Sequence, residues 1–207
     1  MKIAVAILLF SAGTAWADSG PEVLGKVDNA MNNFTDGEFE SKLFIREPNG
    51  SAREIDFTTF QKVRRVGTHV KAQTFMGSDF SYEDMSLSRY SPTYDAKLVK
   101  EDANSWELEL NVKPGQEIEY PRIHMWVEKK SQQPTKIDFM DGSGKVLKTS
   151  EYVDYHIDDA NHYGPSKVVV TDHRRNDHKS EIVFTRVKLN QGLKDDFFTQ
   201  RTLIRGH

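Results

Sequence analysis

TFMGSDFSYEDM, residues Thr74 to Met85, is the stretch that decides which class of fold this chain can form. Its four large apolar side chains are those of Phe75, Met76, Phe80 and Tyr82. That content is too apolar for an ordinary solvent loop, and glycine and charge break it too often for a strand. Gly77 to Asp79 is typical of a turn, and Asp79 is a candidate N-cap for a short helical turn. We therefore expect the segment to fold back over an apolar core.

Short segments of strand character lie on both sides of this stretch. In Ser105 to Val112 apolar and polar residues alternate, which indicates a strand with one dry and one wet face. Asn49-Gly50 is the strongest short hairpin signal, and Asp141 to Gly144 is a second turn. The predicted strands are Phe39 to Arg46, Arg53 to Gln61, Ser105 to Val112, Arg122 to Glu128, Lys136 to Met140, Lys145 to Ile157, Lys167 to Thr171 and Glu181 to Leu189. Successive alternating strands predict an antiparallel sheet with one buried face.

One amphipathic helix is predicted over Pro21 to Phe34, since its apolar residues recur at helical spacing. Asp36-Gly37 is expected to end it. The helix is either an ordinary cover of the core or a lid over a ligand cavity, and its spacing fits both. A short turn of helix is also expected within Asp195 to Leu203. The fold class is mainly β, within the α+β group.

The N-terminus reads as a secretory signal. Lys2 supplies the positive charge, Ile3 to Phe10 the apolar core, and Ala15-Trp16-Ala17 the cleavage site. We therefore expect a signal peptide over residues 1–17, cleavage after Ala17 and one domain over 18–207. The sequence contains no cysteine, which excludes disulfides and thiol chemistry. Its formal net charge of −3 gives no reason to expect nucleic-acid binding.

No catalytic motif stands out in the sequence. Gly142 to Lys145 invites a phosphate-loop interpretation, but Val146 stands where serine or threonine is needed. His173 and His178 flank a turn, yet a metal site requires three or four converging ligands. Asp79, Glu83 and Asp84 form an acidic cluster for which cap and surface roles are favoured over hydrolysis. We expect a non-enzymatic protein without metal or cofactor.

The same stretch, with KVRRV over Lys62 to Val66 and His69-Val70-Lys71, resembles a bacterial family of periplasmic proteins. The likeness continues in Tyr94-Asp95-Ala96, Trp106-Glu107-Leu108, Tyr120-Pro121-Arg122-Ile123 and Asp195 to Arg201. The family is the LolA-like "outer membrane lipoprotein-sorting protein" group, often associated with RND/MMPL-type transporters. The resemblance implies a curved sheet or half-barrel. An N-terminal helix and a loop-helix segment would cover its concave face incompletely and leave a hydrophobic cavity.

That resemblance implies a periplasmic carrier of lipid or lipoprotein acyl chains, with an inner-membrane transporter as a partner. The candidate lipid-binding residues are Phe75, Met76, Phe80, Tyr82, Trp106, Leu108, Leu110, Met125, Val127, Ile137 and Phe139. The first four would form the movable part of the site. The alternative is an accessory or scaffold subunit of an RND-type transporter, with a filled core and its function on the outer surface.

Overall fold

A computed structural model describes residues 18–47, 50–62, 74–82, 84, 89–116, 118–157 and 163–194. The helix is α1 (Gly20–Met31), and the strands are β1 (Asp36–Arg46), β2 (Ala52–Lys62), β3 (Tyr94–Glu101), β4 (Ser105–Val112), β5 (Arg122–Glu128), β6 (Gln133–Met140), β7 (Val146–Ile157), β8 (Tyr163–Asp172) and β9 (His178–Leu189). A single turn of 3-10 helix, His173–Arg175, joins β8 to β9. The mainly β prediction is confirmed.

The nine strands form one open, curved antiparallel sheet. Their order is β2-β1-β9-β8-β7-β6-β5-β4-β3, so β2 and β3 are the two edges. One row of paired residues crosses the sheet from Leu108 through Met125, Ile137, Ser150, Val170 and Ser180 to Ile45. Directly paired residues point to the same side of a sheet. The row therefore defines one face, called the covered face below.

Helix α1 begins and ends earlier than the sequence predicts. Ser19 is its N-cap, and Ser19 and Glu22 form a reciprocal capping box that the prediction missed. The helix ends at Met31, where Asn32 is the C-cap and donates its side-chain N–H to the Asp28 carbonyl. Asp36-Gly37 opens β1 and does not end the helix, which corrects that prediction.

The predicted strands are present, most of them longer than expected, and one strand was missed. β4 and β5 have the predicted bounds. β3 was not predicted as a strand, because an edge strand with mostly exposed residues lacks a clear dry face. The first hairpin forms around Gly50, which has a positive φ of 84°. Asn49, the KVRRV segment beyond Lys62, the expected helical turn after Asp195 and residues 1–17 lie outside the described residues.

The covered face carries two separate apolar clusters. The first lies between α1 and the sheet and consists of Val23, Leu24, Val27, Trp106, Leu108, Leu110, Tyr120, Ile123, Met125, Val127, Ile137 and Phe139. The second lies at the other end of the sheet and consists of Leu43, Ile45, Phe75, Phe80, Val170 and Ile182. Within the part of the chain that is described, no helix is both long and apolar enough to cross a membrane.

Candidate functional site

Nine of the eleven candidate lipid-binding residues divide between the two clusters. All seven from the strands belong to the first cluster and are between 0 and 7% exposed. Phe75 and Phe80 belong to the second cluster. Met76 and Tyr82 are 42% and 43% exposed and belong to neither. The structure therefore places the buried candidates in two separate groups.

Helix α1 is attached to β3 near its start and to the turn that precedes β3 near its end. Near its start, a Cβ added to Gly20 would lie 2.4 Å from the carbonyl oxygen of Ala96, so the helix packs directly on the backbone of β3. Near its end, the buried carboxylate of Asp28 accepts the backbone N–H groups of Tyr90 and Ser91, at 2.8 and 2.9 Å. These contacts favour a permanent cover of the first cluster over a helix that swings away.

The second cover is the flap, defined as the described residues from Thr74 to Asp84. It folds back on itself, because the Phe75 N–H donates to the Phe80 carbonyl at 2.7 Å. The Phe75 ring meets the edge of Phe57 on β2, with the ring centres 5.2 Å apart. The prediction that this stretch folds over a core is therefore correct. Its described residues are turns and an isolated bridge between Thr74 and Ser81, and the expected helical turn falls on Glu83 and residues 85–88, which lie outside the described residues.

Asp79 attaches the flap to the sheet and does not cap a helix, which corrects that prediction. Its side chain is 0% exposed and receives hydrogen bonds from Arg175, His178 and Ser180 at 2.7, 2.6 and 2.6 Å. Its backbone N–H donates to the Ser180 hydroxyl at 3.1 Å. A buried carboxylate with three donors is well satisfied, so this cluster serves as an anchor.

A second ion pair connects the flap to the middle of the sheet. Lys148 on β7 is 1% exposed, and its Nζ lies 2.9 and 2.8 Å from the two carboxylate oxygens of Asp84. Asp84 also accepts the backbone N–H and the hydroxyl of Ser81, and the Asp84 N–H donates back to that hydroxyl. An N-cap was expected at Asp79, and reciprocal bonds of the capping-box type are found instead between Ser81 and Asp84.

Lys148 lies at the boundary between the two apolar clusters. It pairs in register with Phe139 of β6 and with Asp172 of β8, so all three point to the covered face. Its Nζ is 4.9 Å from the ring centre of Tyr120 and 5.0 Å from that of Phe139. Burial raises the pKa of Tyr152 and of Tyr90 above the ordinary value of a phenol, so both side chains remain protonated.

The sequence contained one usable signal for this polar boundary. Lys148 and Ser150 pair with Phe139 and Ile137 of β6, so two polar residues of β7 stand beside apolar ones on the covered face. The partners could not be found that way, because Asp84 is 64 positions from Lys148 and Asp79 is 99 positions from His178. Sequence periodicity reports which way a side chain points, and it does not report which distant residue it meets.

The two histidines of the β8–β9 turn do not converge on one site. His178 contacts Asp79 on the covered face. His173 contacts Asp177 and the hydroxyl of Thr149. Thr149 follows Lys148 on β7 and therefore points to the opposite face of the sheet. Among the described residues no group of three or more possible ligands could hold a metal ion.

Solved structures with the same fold come from several bacteria. A DUF1329 family protein from Desulfovibrio piger matches with a TM-score of 0.76 at 19% identity, over 89% of this chain and 97% of its own. A protein described as an outer membrane lipoprotein-sorting protein domain, from Vibrio parahaemolyticus, has a TM-score of 0.73 at 18% identity, over 90% and 98%. A LolA superfamily protein from Nitrosomonas europaea has a TM-score of 0.71 at 15% identity, over 89% and 99%.

The open sheet and its N-terminal helix are the fold shared with these structures, a LolA-like fold. A family model described as "Uncharacterized protein" matches residues 57–205, which is well over half of the chain. The chain therefore belongs to the family that this model describes. No curated protein matches it in sequence.

Proposed function

We propose that this protein is a periplasmic, non-enzymatic carrier for the acyl chain of a lipid or a lipid-modified protein. The chain would lie on the covered face, and the protein would pass it to or from a membrane transporter, of RND/MMPL type by family association. The shared fold with a lipoprotein-sorting domain and a LolA superfamily protein supports the carrier class. The sorting role of those proteins is extended to this chain as part of the proposal.

The observation that carries the proposal is the way in which the apolar face is covered. Nine strands at about 4.8 Å spacing make a sheet roughly 40 Å across, whereas a helix is only about 10 Å in diameter. Among the described residues, the cover consists of α1 over one cluster and the flap over the other. A boundary between two separate covers is a place where an acyl chain can enter without unfolding the sheet.

The flap has the side chains expected of the adaptable part of such a site. Phe75 and Phe80 are buried against the sheet, while Met76 and Tyr82 remain exposed on the same segment. Flexible methionine and amphipathic tyrosine side chains can repack around an apolar guest. Transfer of an acyl chain from water gains about 0.8 kcal/mol per buried methylene, so a partly covered chain can be both held and released.

The direct test is to identify what the protein binds. The chain should be purified from the periplasm without detergent, extracted with organic solvent, and the extract analysed by mass spectrometry. A stoichiometric amphiphile is expected. A clean extract, together with failure of the delipidated protein to take up a fluorescent fatty acid, would contradict the carrier proposal.

A second candidate function is supported by the tight packing under α1. Leu108, Met125 and Ile137 are 0% exposed, as expected for the filled core of a scaffold or accessory subunit. The substitution Leu110→Glu distinguishes the two candidate functions. The wall of a cavity that water can enter tolerates a charge, whereas a filled core does not. If the protein is a carrier, the variant should lose fatty-acid uptake and still unfold in a cooperative thermal transition. If it is a scaffold with a filled core, the cooperative transition should be lost. Val99→Glu, at an exposed position on β3, is the control.

A further inference from the structure

The buried ion pair between Lys148 and Asp84 requires an explanation beyond stability. A buried pair is often no more stabilising than apolar side chains of similar volume, because removing two charges from water is costly. Here the cation is held on the sheet, and the described partner of its Nζ is the anion on the flap. The two charges therefore belong to different elements of the site, the cation to β7 and the anion to the flap.

The surroundings of Lys148 fit the head of an amphiphile. Its ammonium faces the rings of Tyr120 and Phe139, which belong to the first apolar cluster. Asp84 lies only four positions after Phe80, which belongs to the second cluster. A fixed positive charge at the meeting point of two apolar surfaces matches a molecule with a negative head and an apolar tail.

Two features would let Asp84 give way to such a head. The carboxylate of Asp84 is already hydrogen-bonded to the N–H and hydroxyl of Ser81, so it keeps two donors when Lys148 leaves it. Its side chain is 15% exposed, whereas that of Lys148 is 1% exposed, so water can reach the anion first.

We propose that Lys148 is the headgroup site of this carrier, and that the carboxylate or phosphate of an anionic amphiphile replaces Asp84 on its ammonium. The acyl chain of the same molecule then lies against the apolar covered face. No bond is made or broken, and the buried cation stays paired throughout. The inference rests on the proposed carrier function and adds to it a class of ligand, an anionic one.

The test compares amphiphiles that share one chain and differ in the head. The delipidated mature protein is titrated with dodecanoate, dodecyl phosphate and neutral methyl dodecanoate, and binding is followed by displacement of a fluorescent probe. The expected preference for the anionic ligands over the neutral one is about tenfold to a hundredfold. The better of the two anions identifies the source as a fatty acid or a phosphate-bearing lipid.

Variants distinguish a headgroup site at Lys148 from an ion pair that only attaches the flap to the sheet. Asp84→Asn removes the competing anion and should strengthen binding of both anions several-fold. Lys148→Arg should keep the preference for anionic ligands.

Lys148→Met leaves Asp84 unpaired and can fail to fold, so the double change Lys148→Met with Asp84→Asn is the decisive variant. Its anion-to-neutral ratio should fall to about one. Lys136→Met is the matched control, because Lys136 pairs with Asp138 at a solvent-accessible position.

Each outcome decides a different claim. Equal binding of anionic and neutral ligands by the unaltered protein overturns the headgroup site and leaves the carrier function standing. A preserved anion preference in the double variant overturns the role of Lys148. Absence of binding by every amphiphile, neutral ones included, overturns the carrier function and the headgroup site with it.

Discussion

The carboxylate of Asp79 is completely buried and lies 2.6 Å from the Nδ1 of His178, 99 positions later in the chain. A second aspartate–histidine pair, Asp177 with His173, lies on the exposed turn between β8 and β9. The chain thus contains the same chemical pair in a buried and in an exposed setting. Only the buried pair joins the flap to the sheet.

Asp79→Ala should lower the free energy of unfolding by about 2–3 kcal/mol, because it leaves buried donors without their acceptor. Denaturation in urea measures the change. The matched control is Asp177→Asn, which removes the charge of the solvent-screened partner of the other pair and keeps a side chain that tolerates the φ of 57° at this position. It should leave the free energy of unfolding nearly unchanged. Equal effects of the two substitutions would mean that the burial of Asp79 contributes nothing to the attachment of the flap.

Gly20→Ala should destabilise the protein by about 1–3 kcal/mol, because the new methyl group would overlap the backbone of Ala96 and push α1 away from β3. Gly25→Ala provides the control within the same helix. A Cβ there meets no atom within 4 Å, so this change should stabilise the protein by about 0.5–1 kcal/mol. Thermal unfolding of both variants measures the two changes in stability. A stabilising Gly20→Ala would show that the helix can shift freely on the sheet.

Asp102 should make stability depend on pH at the acidic end. Hydrogen bonds from the Ser105 hydroxyl and from the N–H groups of Asn104 and Ser105 lower the pKa of Asp102 to about 2, from an ordinary value of 3.8. A lowered pKa in the folded state contributes stability that is complete above about pH 4 and is lost as the pH falls towards about 2.

Asp102→Asn removes that contribution, so the variant should be less stable than the parent at neutral pH. The gap should close on acidification over the same range. Urea denaturation at several pH values measures the gap, and an NMR titration of the Asp102 carboxyl measures its pKa directly. A gap that stays constant from neutral pH to pH 3 would contradict the assignment.

The mature chain should begin at Asp18 and be found in the soluble periplasmic fraction. The reason is the short apolar segment followed by Ala15-Trp16-Ala17. Intact-mass measurement of the fractionated protein checks the prediction, and Ala17→Leu should block processing and leave the precursor in the membrane fraction. Retention of Met1 in the unaltered protein would refute it.

The strands and the apolar face could be predicted from the sequence because their signal is local. In β4 and β5 every second residue is buried, so alternation gave their bounds. β3 escaped because an edge strand has no such contrast. The ion pairs of Lys148 and Asp79 also escaped, because each joins residues that only the folded sheet brings together. The sequence therefore predicted which strand residues are buried on the covered face, whereas the ion pairs required the structure.

The position of β9 between β1 and β8 has a consequence for how the chain is made. The hairpin of β1 and β2 emerges first, yet β1 pairs with β9, the last described strand. Contacts of such long sequence separation form late and slow folding. A chain delivered from its N-terminus onward therefore keeps its first hairpin undocked until nearly all of it has arrived. The order of the strands thus delays completion of the sheet until the last described strand has been made.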